Sequence, residues 1–442
     1  MTECIQAQHR FSFQRNRSIV AQFDGGQITS DAGLLPLRQF DQRHGLTRCW
    51  AAALSDARSP ERSQHTLQAL FTQRIYQIVA GYEDANDAAL LRHDPIFQLL
   101  AEAAPGQPLS SQPTLSRWEN AFTWRDWVSL NRCLLESFGT LCAARVQAAG
   151  EIVLDLDSTA DPTYGQQEFS FYNGCYERSV YHPLLVFERG TGYLLAAHLR
   201  RGEVGSSRGV VAVLRRVVHF LRQRFPGVPI RVVGDAGFAV PTLYLFCENH
   251  NVEYTFGISN NVSFRPRGER LLQQAERRWL RRGTRQRLYS SFRHRGKRWR
   301  RYSRRICVKA ERTSSDRCMH YVITNRRGPA EDIFTFYHGR GECENRIEEL
   351  KNGFAADRLS CHRFLANAFR LLLHAAAYNL VVLFRHRLPP CLQRAQIETL
   401  RRQLFKLGAL VTRSARRVLV HLASGWPFQT FFQEALRALS SA

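Results

Sequence analysis

Glu151-Ile152-Val153-Leu154-Asp155-Leu156-Asp157-Ser158-Thr159 is the stretch on which the fold turns. From Ile152 it is β-branched and apolar, then alternates apolar with acidic residues, the pattern of a strand whose buried body ends at an exposed tip. Downstream, Ser179 to Phe187 and Tyr193 to Leu199 read as two further strands joined by the turn Glu188-Arg189-Gly190-Thr191-Gly192. Val210 to Phe225 has helical apolar spacing, and Ile230-Arg231-Val232-Val233-Gly234-Asp235 returns to a strand.

Three strands, a helix and a fourth strand are the order of an RNase H-like core, an α/β fold with a mixed sheet flanked by helices. In that order the first and fourth strands lie side by side, so an acid at the tip of each would share one site with an acid from a later helix. Asp157 and Asp235 are those tips. Asp155 shares a strand face with Asp157, because side chains alternate with a period of two, and is the alternate ligand or a supporting group. Each aspartate also fits the ordinary role of a turn or capping residue.

The third acid is sought between Tyr337 and Lys351, where tyrosine, arginine, glutamate and lysine stand at Tyr337, Arg340, Glu344 and Lys351. On one continuous helix these steps would align Arg340, Glu344 and Lys351 on one face, with Tyr337 a turn upstream. An acid among phosphate-binding cations suits metal-assisted phosphodiester chemistry. Glu342, Glu348 and Glu349 compete with Glu344, since solvated glutamates paired with Lys or Arg are common on helices.

Asp235 and Glu344 are 109 residues apart, too far for one strand-helix crossover, so an insertion lies between them. Residues 265 to 312 hold 19 basic side chains against 3 acidic, which is 16 of the net charge of +24. Arginines alternate with aromatics from Gln286 onward, which predicts a β-rich element following a phosphate backbone. Trp279, Trp299, Arg298, Arg300 and Arg301 are its candidate DNA contacts; a solvated basic arm is the plainer alternative.

The whole chain of 442 residues has a pI near 10.3, which points to a nucleic-acid partner before a membrane. Residues 1 to 150 carry 14 basic and 14 acidic side chains and read as an all-helical, DNA-binding N-terminal domain. Within it, Ser110 to Trp118 resembles a turn feeding a groove-binding helix, or equally a capped bundle helix; Trp118, Trp124 and Trp127 suit a core or interface. The expected divisions are 1–150, the first part of the core at 151–259, a basic insertion at 260–325, the rest of the core with the glutamate helix at 326–370, and a mainly helical region at 371–442 suited to dimerisation and DNA contact. The start, Met1 to Phe13, lacks the apolar run of a secretory leader, and the apolar stretch Leu371 to Phe384 reads as a buried helix. A cytoplasmic protein is expected. Its 11 cysteines include no Cys-x-x-Cys pair, against both a zinc module and a disulfide framework.

Tyr337, Arg340, Glu344 and Lys351, behind Asp157-Ser158-Thr159 and Gly234-Asp235-Ala236-Gly237-Phe238, resemble the DDE transposases of bacterial insertion sequences that carry a tyrosine-arginine-glutamate-lysine signature. Ile28-Thr29-Ser30-Asp31-Ala32-Gly33, Gly81 to Asp87 and Leu91 to Pro95 are similar to stretches in the insertion-sequence family numbered thirteen-eighty, and the likeness runs from about residue 10 to the C-terminus. The resemblance implies a transposase acting on double-stranded DNA, at terminal inverted repeats and a target, as a homodimer in the synaptic complex. Asp157, Asp235 and Glu344 would hold two Mg²⁺ ions, with Mn²⁺ as substitute; Tyr337, Arg340 and Lys351 would grip phosphates; Trp299 or Trp279 would stack on a flipped base. Nicking, hairpin formation by the freed 3′-OH and strand transfer would follow. The alternatives are a nuclease or resolvase on the same core, and a catalytically silent DNA-binding relative.

Overall fold

The structure, a computed structural model, describes residues 8–59, 61, 63–104, 106–296, 299 and 302–440. It forms two compact units, Glu119–Leu383 and Met1–Trp118 with Phe384–Ala442.

The Glu119–Leu383 unit is built on β1 (Ile152–Ser158), β2 (Leu184–Glu188), β3 (Leu194–His198), α1 (Val210–Arg224), β4 (Ile230–Gly234), α2 (Pro241–Asn249) and β5 (Glu253–Ile258). β1 is buried along nearly its whole length, as expected of a strand covered on both faces. α1 buries Val210, Val213, Leu214, Val217, Val218 and Leu221, one apolar stripe at helical spacing, and turns its arginines outward. Spatially the strands run β3-β2-β1-β4-β5, with β1, β4 and β5 parallel and β2 and β3 antiparallel. This is the mixed, helix-flanked sheet of an RNase H-like core.

The basic insertion is β-rich from Gln286 onward, as expected, but it opens with a helix. Its first part is α3 (Arg265–Arg282), whose only buried residues are Gly268, Leu272 and Ala275. Gly268 is required there, because a Cβ would collide with the Tyr321 hydroxyl. β6 (Gln286–His294), β7 (Arg304–Arg312) and β8 (Arg317–Thr324) follow, and β8 pairs antiparallel with β5. The insertion therefore extends the core sheet to eight strands, ending β5-β8-β7-β6. Alternation along β7 covers both faces: Ile306 and Val308 pack with Phe264 and Tyr321 on one side, while Cys307 packs with Val322, Ile333 and Phe334 on the other. The chain continues through α4 (Ala330–His338), α5 (Gly341–Glu348) and α6 (Phe364–Arg385). α6 is long and apolar enough to span a membrane, but its apolar window is wholly buried within the protein.

The other unit is largely helical, with helices at Leu35–His44, Leu46–Ala52, Leu67–Ala80 and Gln429–Ser440 among others. It also contains strands absent from the helical expectation, a His9–Phe11 and Ile19–Ala21 pair and a three-stranded sheet in which Ile28–Thr29 pairs with Ala409–Arg413. Arg401, almost buried, donates to the carbonyls of Ile78 and Val79 at 2.9 and 2.8 Å, capping the C-terminus of the Leu67–Ala80 helix. Lys406 donates to the buried Asp31 at 2.7 Å.

Candidate active site

The parallel register of β1 and β4 sets Leu156 opposite Gly234, so Asp157 and Asp235 stand level at the same sheet edge. Asp157 is 7% exposed; its Oδ1 accepts from the Ser158 amide at 2.8 Å and its Oδ2 from Arg340 at 2.6 Å. Burial pushes its carboxyl up to about 6; Arg340 and the Ser158 amide oppose this, while the charges of Asp235 and Glu344 add to it. Asp235 accepts from the Gly237 amide at 2.9 Å, so it also serves as the cap of the turn Ala236–Phe238.

Glu344 lies in the first turn of α5 and accepts from the other arm of Arg340 at 2.9 Å. One guanidinium thus bridges Asp157 and Glu344. Burial alone would lower the pKa of Arg340, but the charges of Asp157, Tyr337, Asp235 and Glu344 together hold it above its usual value. Glu342 instead pairs with Arg346 at 3.1 Å.

The expected single helix from Tyr337 to Lys351 is not formed. Tyr337 sits in the last turn of α4, Arg340 precedes α5, and Lys351 is carried by the wider turn Glu349–Gly353. Arg340 stands between Gly339 and Gly341, two residues that weaken a helix interior by roughly 1 kcal/mol each relative to alanine. A Cβ at Gly339 would also press on Arg189 Nη1, at 2.8 Å. The break nevertheless returns Tyr337 to the site. Its hydroxyl lies where a Cβ on Gly257 would be 2.5 Å away, beside Asp235, which is why β5 carries glycine there.

Lys351 is placed one step along the chain from the acids. Its Nζ donates to Thr159 Oγ1 at 3.0 Å and the Ala160 carbonyl at 2.7 Å, and lies 3.6 Å from Asp161 and 4.0 Å from Asp357. It pins the segment that follows Asp157. Asp161 is 2% exposed, one of its oxygens has no hydrogen-bond partner, and burial pushes its carboxyl up to about 8 despite Lys351. Since an unfolded aspartate titrates near 3.9, the fold holds an extra proton between about pH 4 and pH 8. Its stabilising contribution is present in acid and lost as pH rises through that window. Thermal unfolding from pH 5 to pH 8.5 is expected to lose less stability in Asp161→Asn than in the wild type; equal losses would remove Asp161 from the pH response.

Asp155 is fully buried and gripped by both arms of Arg189, at 3.0 and 2.6 Å. Arg189 also donates to the Phe336 carbonyl at 2.9 Å, and its own carbonyl accepts from Arg346 at 2.6 Å. This fork ties the helices bearing Tyr337 and Glu344 to β1. Trp299 is half-buried, with Tyr244 and His294 rings 6.0 and 5.5 Å away, and Trp279 lies on α3 under the Arg312 guanidinium at 4.3 Å. Arg298, Arg300 and Arg301 lie outside the described residues.

Sequence reasoning missed the support around the aspartates. Ser158 Oγ donates to Ser206 Oγ at 2.9 Å, and Arg200, itself nearly buried, donates to the carbonyls of His182, Ser206 and Arg208 at 2.7, 2.9 and 2.8 Å. The one available signal was an arginine ending the apolar run Tyr193 to Leu199. Among the described residues no three His, Cys, Asp or Glu side chains stand in ligating geometry, and the Arg340 guanidinium occupies the space between Asp157 and Glu344.

The sheet thus sets aspartates level at the ends of two parallel strands, and a later helix places a glutamate on the arginine that also holds one of them. The chain belongs to the family described as transposase DDE domain group 1, whose model matches residues 11–442. Among solved structures it is similar to a piggyBac transposase in a synaptic complex with hairpin DNA, at 14% identity, covering 86% of this chain and 77% of that one with a TM-score of 0.42. No curated protein matches it in sequence.

Proposed function

We propose that this chain is the transposase of a bacterial insertion sequence of the thirteen-eighty family, acting in the cytoplasm on the element's terminal inverted repeats. The supporting observation is that the Arg340 guanidinium bridges Asp157 and Glu344, while Asp235 stands level with Asp157 at the end of the neighbouring parallel strand. Three carboxylates from separate elements are the hard oxygen donors that suit Mg²⁺, with Mn²⁺ as a substitute, and these three residues would hold two ions. Bound there, the metal would activate the attacking oxygen and stabilise the leaving one. Arg340 would hold a phosphate through its fork, with Tyr337 beside it and Lys351 as a point charge that also fixes the chain after Asp157. A base flipped at a hairpin would stack on Trp299 or Trp279. Two element ends require two protomers, one at each end.

Labelled duplexes carrying the element end, incubated with Mg²⁺ and a target plasmid, test the reading. Nicked strands, then hairpins, then labelled plasmid are the expected products on denaturing gels. Nicks with neither hairpin nor joined product would identify a nuclease on the same core, and an absence of cutting would identify a silent relative.

A further inference from the structure

The rim of the sheet away from the acids carries a second concentration of positive charge, in a cleft of about 510 Å³. Arg293, Arg304, Arg305, Arg326 and Arg327 line it, with Glu248 as the lining acid. Glu248 is already neutralised by both arms of Arg304, each at 2.8 Å. Arg305 spends its donors on the carbonyls of Arg326 and Gly328, at 3.0 and 2.7 Å, so its charge is uncompensated by any acid there. Arg326 lies 3.3 Å from Glu253, which Arg231 also engages at 2.8 Å. Arg293 and Arg327 are exposed, and among the described residues neither has an acidic partner. β6 contributes Arg293 to the lining and β7 contributes Arg304 and Arg305.

Topology separates this cleft from the catalytic edge. β5 begins at Glu253 beside the cleft and reaches Gly257 beside Tyr337 and Asp235, four residues or roughly 13 Å along the strand. A phosphate held at the acids is therefore not the one that would fill the cleft. Duplex DNA presents a charge about every 1.7 Å of its axis, so a duplex engaged by the protein has other phosphates to offer. We propose that this arginine cleft binds a backbone segment of duplex DNA remote from the scissile phosphate. Resting on the DNA-acting function above, it supplies a contact that contributes affinity and orientation and no chemistry.

The test uses the full chain and its Arg293→Gln/Arg327→Gln variant, both positions being exposed and, among the described residues, without ion pairs. Binding of a fluorescent 30-base-pair duplex without divalent metal is followed as KCl is raised. Losing two phosphate contacts is expected to reduce the slope of log K against log salt by about 1.8 and to weaken binding roughly tenfold at moderate salt. Arg293→Lys/Arg327→Lys, which keeps the charge, is expected to retain the wild-type slope. A wild-type slope in the glutamine variant, or a reduced slope in the lysine variant, overturns the cleft as a DNA contact. Wild-type protein that shows no salt-dependent binding overturns the DNA-acting reading itself, and the cleft with it.

Discussion

Glu344→Gln is expected to abolish strand cleavage, by at least about a thousandfold in single turnover, in a protein that folds as before. The two halves of this result have separate causes. Glu344 is 63% exposed, and its i,i+4 ion pair with Arg340, which keeps Asp157 as a second partner, is of a kind that contributes roughly 0.3–0.5 kcal/mol. Stability is thus nearly untouched. A carboxylate that holds metal, the role proposed for Glu344, supports by contrast several kcal/mol of transition-state stabilisation, and about 1.4 kcal/mol is already tenfold in rate. Cleavage within tenfold of wild type, at equal melting temperature, would take Glu344 out of the site and return Glu342, Glu348 and Glu349 to contention.

Arg189→Ala is expected to show the opposite profile, a collapse of stability. Asp155 is fully buried and both its oxygens rest on Arg189. Removing one partner of a buried pair leaves an uncompensated charge and costs about 3–5 kcal/mol. Arg189→Lys should recover little, because one ammonium cannot reproduce a fork that spans two carboxylate oxygens and also reaches the Phe336 carbonyl. Asp155→Asn in the Arg189→Ala background removes the stranded charge and should restore part of the loss. Urea unfolding of the four proteins measures this; an alanine variant within about 1 kcal/mol of wild type would contradict the account.

These two residues also mark how far the sequence was readable. β1, β4 and α1 stand out because their apolar pattern is local, and the neighbouring of β1 and β4 follows from strand order alone. The insertion itself follows from the spacing of Asp235 and Glu344, but its helical start does not: α3 shows solvent so many arginines that its short buried stripe, Leu272 and Ala275, is lost among them. β5 was missed for another reason. Its run Glu253 to Ile258 is short, and its place is set by pairing with β4 and β8 rather than by its own composition. The difference between Asp155 and Asp157 lies beyond local pattern altogether, since both point to one face and what separates them is an arginine 34 residues away for one and 183 for the other. The helix break at Gly339 and Gly341 was written in the sequence, yet the regular spacing of the signature residues outweighed it.

The pairing of Thr29 with Ala409 has a consequence for how the molecule is made. At about 5–20 residues per second, a ribosome that has finished Thr29 needs roughly 20–80 seconds to reach its partner strand. Until then the Leu67–Ala80 helix lacks the arginine that caps it, and Asp31 lacks its lysine. A chain halted during the long middle stretch can hold every one of Asp157, Asp235 and Glu344 and still leave its first-made unit unfinished. Synthesis as far as Ala409–Arg413 is thereby built into the maturation of this unit.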